Sequence, residues 1–190
     1  MNNETMQKLL DGNSRFAAGT AIKPNQNQKR RAELVQAQHP EAIIVSCSDS
    51  RVSPEIIFDQ GLGDLFVVRT AGHVIDDAVL ASIEYAAEHL HTQLIVVLGH
   101  KNCGAVKATI DGGELPGHLG GLTKAIANAV ETALTQDGDL FVNAVTANIN
   151  TVVKQLKSSE PILAELVKNN KLDIVGACYD LESGVVGLVE

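Results

Sequence analysis

The sequence predicts an α/β domain. Its core is a mostly parallel central sheet, four parallel strands plus an antiparallel C-terminal edge strand, flanked by helices and preceded by an N-terminal helical arm. Two observations carry this reading. Short apolar runs of strand length alternate with longer segments whose apolar residues recur at helical spacing. The short runs are also apolar at consecutive positions, the pattern of parallel strands covered on both faces. At 190 residues the chain is long enough for one domain with a full core, taken here as residues 1–190.

Taken in order, residues 4–11 and 13–17 read as short helices broken at Gly12-Asn13. Gly19 to Gln28 is polar, contains Pro24 and reads as an extended arm. Residues 29–38 look helical and stop before Pro40. The first three strands are Ala42–Cys47, Leu65–Arg69 and Leu94–Gly99, each rich in β-branched residues. Residues 77–90 place Val79, Ile83, Ala86 and Leu90 on one helical stripe, and Val145, Ile149, Val152 and Leu156 do the same later. A fourth strand falls at Asp173–Cys178. Tyr179 to Glu190 then reads as a turn at Glu182-Ser183-Gly184 followed by the antiparallel edge strand. Gly61-Leu62-Gly63 lacks the third glycine of a dinucleotide loop, since Phe66 stands in its place.

Composition removes several classes of function. The longest apolar run, Leu94 to Leu98, is far short of a membrane span. The N-terminus has neither a basic nor an apolar secretory region, so a cytoplasmic location is expected. A formal charge of −8 argues against a nucleic-acid partner, which needs a positive face. Three cysteines are too few and wrongly numbered for a disulfide framework and point to reduced thiols or a metal.

Cys47 closes the first strand, His100 follows the third, and Cys103 lies three residues beyond His100. In an open α/β sheet, ligands gather at the carboxyl ends of strands where the winding reverses. Two sulfurs and a nitrogen suit a borderline-soft ion, above all Zn²⁺. Three protein ligands leave a fourth position open, as a catalytic site requires. Taken singly, Cys47 reads as a small buried hydrophobe and His100 as a hydrogen-bonded core histidine.

Cys47-Ser48-Asp49-Ser50-Arg51 and Gly99-His100-Lys101-Asn102-Cys103-Gly104 together resemble the two signature motifs of β-class carbonic anhydrases, in a form close to the plant-type subclass. Gly12 to Phe16, Ile57 to Gly72 and Ser82-Ile83-Glu84-Tyr85 extend the resemblance over most of residues 8–110. It implies reversible hydration of carbon dioxide to bicarbonate and a proton, by zinc-bound hydroxide attacking the substrate carbon. Cys47, His100 and Cys103 would hold the zinc. Asp49 would orient the attacking oxygen and Arg51 would hold Asp49 by a two-pronged hydrogen bond. The same Asp49 would serve as fourth ligand in a closed state. Gln38, Phe66 and Tyr85 match substrate-pocket positions that the family donates from a neighbouring subunit, and the Gly104 N–H would assist. A homodimer, extendable to a tetramer, is therefore expected, with residues 1–40 packing on the partner because the polar arm has little to bury on its own body. The chain has no tryptophan, so regulation by bicarbonate through a tryptophan-containing pocket is not expected. Two alternatives stay open at this point: hydrolysis of carbon disulfide or carbonyl sulfide on the same fold, and a non-catalytic zinc-thiolate or redox module.

Overall fold

The structure, a computed structural model, describes residues 3–113 and 115–189; Glu190, the predicted end of the last strand, lies outside them. In chain order the elements are α1 (Asn3–Ala17), α2 (Gln28–Glu33), β1 (Ala42–Cys47), α3 (Pro54–Ile57), β2 (Leu65–Thr70), a tight helical turn at Ala71–His73, α4 (Asp77–Glu88), β3 (Leu94–His100), α5 (Gly104–Asp111), α6 (Leu119–Ala133), α7 (Leu140–Lys157), α8 (Ile162–Lys168), β4 (Asp173–Tyr179) and β5 (Val186–Val189). The sheet order is β2-β1-β3-β4-β5. The first four strands are parallel, with Val45 opposite both Val68 and Val97 and with Val97 opposite Gly176. β5 returns antiparallel on β4, Cys178 facing Gly187.

Consecutive apolar residues of β1 and β3 point to opposite faces, so each strand feeds two cores. Ile43, Val45, Ile95 and Val97 pack with Ile83 of α4, Ile126 of α6 and Ile149 of α7. Ile44, Val96 and Leu98 pack on the other side with Met6 and Leu9 of α1 and with Ile57 and Phe58. Every residue of β1 and β3 is buried, as their composition predicts. β2 differs, being half-exposed along its length because it is the sheet's edge and only one neighbour covers it.

α1 runs unbroken through Gly12-Asn13, correcting the expected break. Gly12 is a contact notch: a Cβ there would lie 1.9 Å from the Phe58 carbonyl oxygen. Asn13, 2% exposed, donates from Nδ2 to the carbonyls of Ile57 and Gly184 and accepts at Oδ1 from the Val186 N–H. It stitches α1 to α3 and β5. α2 ends at Glu33 rather than at residue 38; it buries none of its residues, so no apolar face sustains a longer helix.

The arm at Gly19–Gln28 is tied to its own chain by two buried carboxylates. Asp59 accepts from the backbone N–H groups of Ile22 (3.0 Å) and Lys23 (2.8 Å) and from Arg15 Nε (2.7 Å). Asp64 accepts from Asn25 Nδ2, Arg30 Nη2 and the Gly61 N–H. Polarity that reads as a reason for the arm to leave its own body is thus satisfied on that body.

Candidate metal centre

Cys47 is the last residue of β1, His100 the last of β3, and Cys103 caps the N-terminus of α5. β1 is followed in the chain by β2 on one side, while β3 lies on its other side, so the winding reverses between β1 and β3. The two sulfurs and an imidazole nitrogen meet at that crevice, all within 4.8 Å of one another. Cys47 is 5% exposed and the other two 1%. The link between His100 and Cys103 is a tight bend: Asn102 has a φ of 56°, and the Lys101 N–H is anchored on the Tyr179 carbonyl at 2.9 Å.

The donor atoms fit a zinc ion. His100 donates from Nδ1 to the Lys101 carbonyl at 2.8 Å, which leaves Nε2 as the unprotonated nitrogen. That Nε2 is buried and has no hydrogen-bond partner, a state that a metal relieves. The two thiols share one proton's worth of acidity. Cys47 is pulled well below the usual thiol range, first by the hydrogen bond from Cys103 and also by the N–H groups of Gly72 and Asp49, against its burial. Cys103 is pushed up, first by its hydrogen bond to Cys47 and then by burial. The second proton leaves readily only when a cation replaces it, which couples metal binding to proton release. Two sulfurs and one nitrogen are the ligand types that suit zinc.

Asp49 stands beside this triad, its Oδ2 3.9 Å from His100 Nε2. Arg51 holds it at both oxygens, Nε to Oδ1 at 2.9 Å and Nη2 to Oδ2 at 2.7 Å, while the Arg51 N–H also donates to Oδ1. The Arg51 side-chain hydrogen bond is the main reason the carboxyl sits well below the usual carboxylate range. A second arginine holds the backbone of the same loop. Arg69 Nε donates to the Cys47 carbonyl at 2.9 Å and Nη2 to the Asp49 carbonyl at 2.6 Å.

The protein-family model for carbonic anhydrases matches residues 42–186. The chain belongs to that family. It is 47% identical over 187 residues to a carbonic anhydrase of Mycolicibacterium smegmatis, covering 95% of this chain and 89% of that one. Among solved structures it resembles the β-carbonic anhydrase CcaA, with a TM-score of 0.77 and 31% identity over 97% of this chain and 95% of the other. It also resembles one of the tetrameric β-carbonic anhydrases of Sordaria macrospora, with a TM-score of 0.79 and 25% identity over 98% of this chain and 97% of the other. The family and the triad together make this a β-carbonic anhydrase, hydrating carbon dioxide at zinc held by Cys47, His100 and Cys103.

Within this β-carbonic anhydrase, Gly104 opens α5 beside the metal ligands. Gln38, Phe66 and Tyr85 lie elsewhere. Gln38 and Tyr85 line a cleft of about 860 Å³ that contains none of the three metal ligands. Phe66 touches Tyr85, ring centroids 6.4 Å apart, and sits at the opposite end of its strand from Thr70, the register partner of Cys47. Cys178 is a half-buried free thiol, raised by burial, and stands outside the metal group.

Sequence reading missed two residues that hydrogen-bond Cys47 directly. Arg69 ends an otherwise apolar strand, and that lone charge in Leu65-Phe66-Val67-Val68-Arg69 was the available signal. Gly72 donates its N–H to Cys47 Sγ at 3.3 Å, a contact between distant segments that no local pattern announces.

Proposed function

We propose that Asp49 and Arg51 are the catalytic pair at this centre, and that Gln38, Phe66 and Tyr85 complete the metal centre of a second copy. Zinc held by the triad supplies an acidified water, and so a nucleophile at neutral pH. Asp49, kept ionised by Arg51, accepts a hydrogen bond from the attacking oxygen and turns its lone pair toward the substrate carbon. Arg51 fixes the direction of that acceptor and offsets its charge. The Gly104 N–H, at the start of α5 next to Cys103, would meet a product oxygen. Released from Arg51, the Asp49 carboxylate, whose Oδ2 is 3.9 Å from His100 Nε2, would serve as a fourth ligand in a closed state.

The observation that carries the second-copy reading is the separation just described. Gln38, Phe66 and Tyr85 lie away from their own metal centre, beside exposed apolar side chains. The half-exposed β2 edge, Tyr85 at 48% exposure, Leu62 at 44% and Val35 at 73% are the exposed parts. An apolar area of this kind on a sheet edge calls for cover. Dimerisation would supply it and would bring Gln38, Phe66 and Tyr85 to the partner's crevice. The tetrameric state of the Sordaria macrospora relative fits further assembly of such dimers. Residues 1–40 would contribute their outer faces to this contact. No described helix is long and apolar enough to cross a membrane, and the free thiols fit a reducing compartment such as the cytoplasm.

Mixed assemblies test this. Cys47→Ser removes a ligand and leaves the pocket residues; Tyr85→Ala combined with Gln38→Ala does the reverse. Each homo-oligomer should be nearly inactive. Unfolding and refolding the two together should restore hydration activity, because one site per hetero-dimer receives a whole metal centre and a whole pocket. No recovery from a mixture shown to contain hetero-oligomers would place those residues outside the partner's site.

A further inference from the structure

We propose that Asn148 and His73 are positioning residues for the metal ligand Cys47, clamping the Ala71–His73 turn so that the Gly72 N–H stays aimed at the ligand's sulfur. The inference rests on Cys47 being a zinc ligand.

The geometry is a chain of contacts running from α7 to the metal. The Asn148 amide, 3% exposed, donates from Nδ2 to the Gly72 carbonyl at 3.1 Å and is 3.0 Å from His73 Nε2. An amide NH₂ can only donate, so Nε2 is the accepting nitrogen and the proton of the neutral imidazole sits on Nδ1. Gly72 in turn donates its N–H to Cys47 Sγ. Gly72 is therefore held at its carbonyl by Asn148 while its N–H faces the sulfur.

This turn holds its shape at a cost. Gly72 and His73 both lie in the left-handed region, at φ 64° and 48°, and His73 is not a glycine. His73 Nδ1 is buried with no hydrogen-bond partner, and burial pushes the imidazole down to about 4. Strained backbone and orphaned buried donors persist only where surrounding structure fixes them, and they gather at functional sites. Gly72 is itself boxed in, since a Cβ would come within 2.8 Å of Ile126 and 2.9 Å of Ala105. Asn148 is delivered by an unusually close approach of its helix. A Cβ on Gly99 would lie 2.5 Å from Ile149 and one on Gly176 2.8 Å from it, so α7 lies directly on β3 and β4 and the residue before Ile149 reaches the turn.

Two thiolates donate strongly to a zinc ion and blunt its pull on a water. An N–H···S hydrogen bond draws some of that density back. Groups behind a metal ligand commonly change metal affinity by about 10–100-fold.

The test uses the full protein loaded with cobalt, whose sulfur-to-metal absorption reports the electron density on the thiolates. In Asn148→Leu, which removes both donors at similar volume, that absorption should move to longer wavelength. Zinc should also pass to a chelator about tenfold faster, because the loosened turn no longer fixes the position of the Cys47 sulfur and this outweighs the stronger donation of the freed thiolate. His73→Asn keeps an acceptor and tolerates the left-handed backbone, so it should return both readouts close to wild type. If Asn148→Leu fails to fold, Asn148→Ser carries the same expectation. Wild-type absorption and wild-type zinc release in a folded Asn148 variant would overturn the inference, whatever happens to its stability. Sulfur-to-cobalt absorption left undiminished in Cys47→Ser would instead overturn Cys47 as a ligand, since Cys103 alone would then account for it.

Discussion

Asp49 sits next to two sulfur ligands, yet Arg51 keeps it a carboxylate. Its pKa is lowered, so the sign is that of an acid whose native form is ionised. The pairing with Arg51 contributes to the native state above the ordinary carboxylate value of about 3.9, and is lost only as pH falls through the lower native value. Between pH 5 and 9, therefore, Asp49 should remain charged, and any inflection of activity in that range should not be its own protonation. Arg51→Leu should lower kcat/KM by about 10–100-fold and bring a new acid-side inflection near the ordinary carboxylate range. An unchanged profile in that variant would remove Arg51 from control of Asp49. At this scale the sequence was legible wherever chemistry sits in a short motif: Cys47, Asp49 and Arg51 within five residues, His100 and Cys103 within four. Arg69, Gly72 and Asn148 were not, because their contacts with the site join segments far apart in the chain.

The strands were legible almost to the residue because β-branched apolar runs have few other uses. Helix limits were less so. Gly12 reads as a break on propensity, but tertiary contact decides, since its missing side chain lets α1 rest on the Phe58 carbonyl. The two views predict opposite signs for Gly12→Ala. Propensity alone gives a gain of up to about 1 kcal/mol. Overpacking against backbone gives a loss of about 1–3 kcal/mol. Urea unfolding should show the loss, and a gain would mean that α1 does not lie against Phe58. The arm shows a related lesson. Its polar sequence gives no periodicity, yet Asp59 and Asp64 hold it through backbone and side-chain hydrogen bonds that composition does not reveal.

In the whole molecule, one reversal of strand order explains where the metal centre lies. β1 and β3 end side by side, and each delivers a ligand to the crevice between them. The helices on one face fix the turn behind Cys47, while α1 packs on the other face. What a single chain leaves unfinished is the half-exposed β2 edge and the cleft beside it, which is why mixed assemblies speak to the proposed pocket. The resemblance read from the motifs agreed with the fold because the motif residues are the ones placed at the reversal.

The central claim is a zinc ion held by three protein ligands, with its fourth position left to solvent. X-ray absorption at the zinc edge, at pH 8, tests it most directly. Two sulfurs at about 2.3 Å, one imidazole nitrogen and one further light scatterer at about 2.0–2.1 Å should appear, and that pattern should persist in Asp49→Ala. A third sulfur, or a fourth position lost together with the Asp49 side chain, would contradict the account.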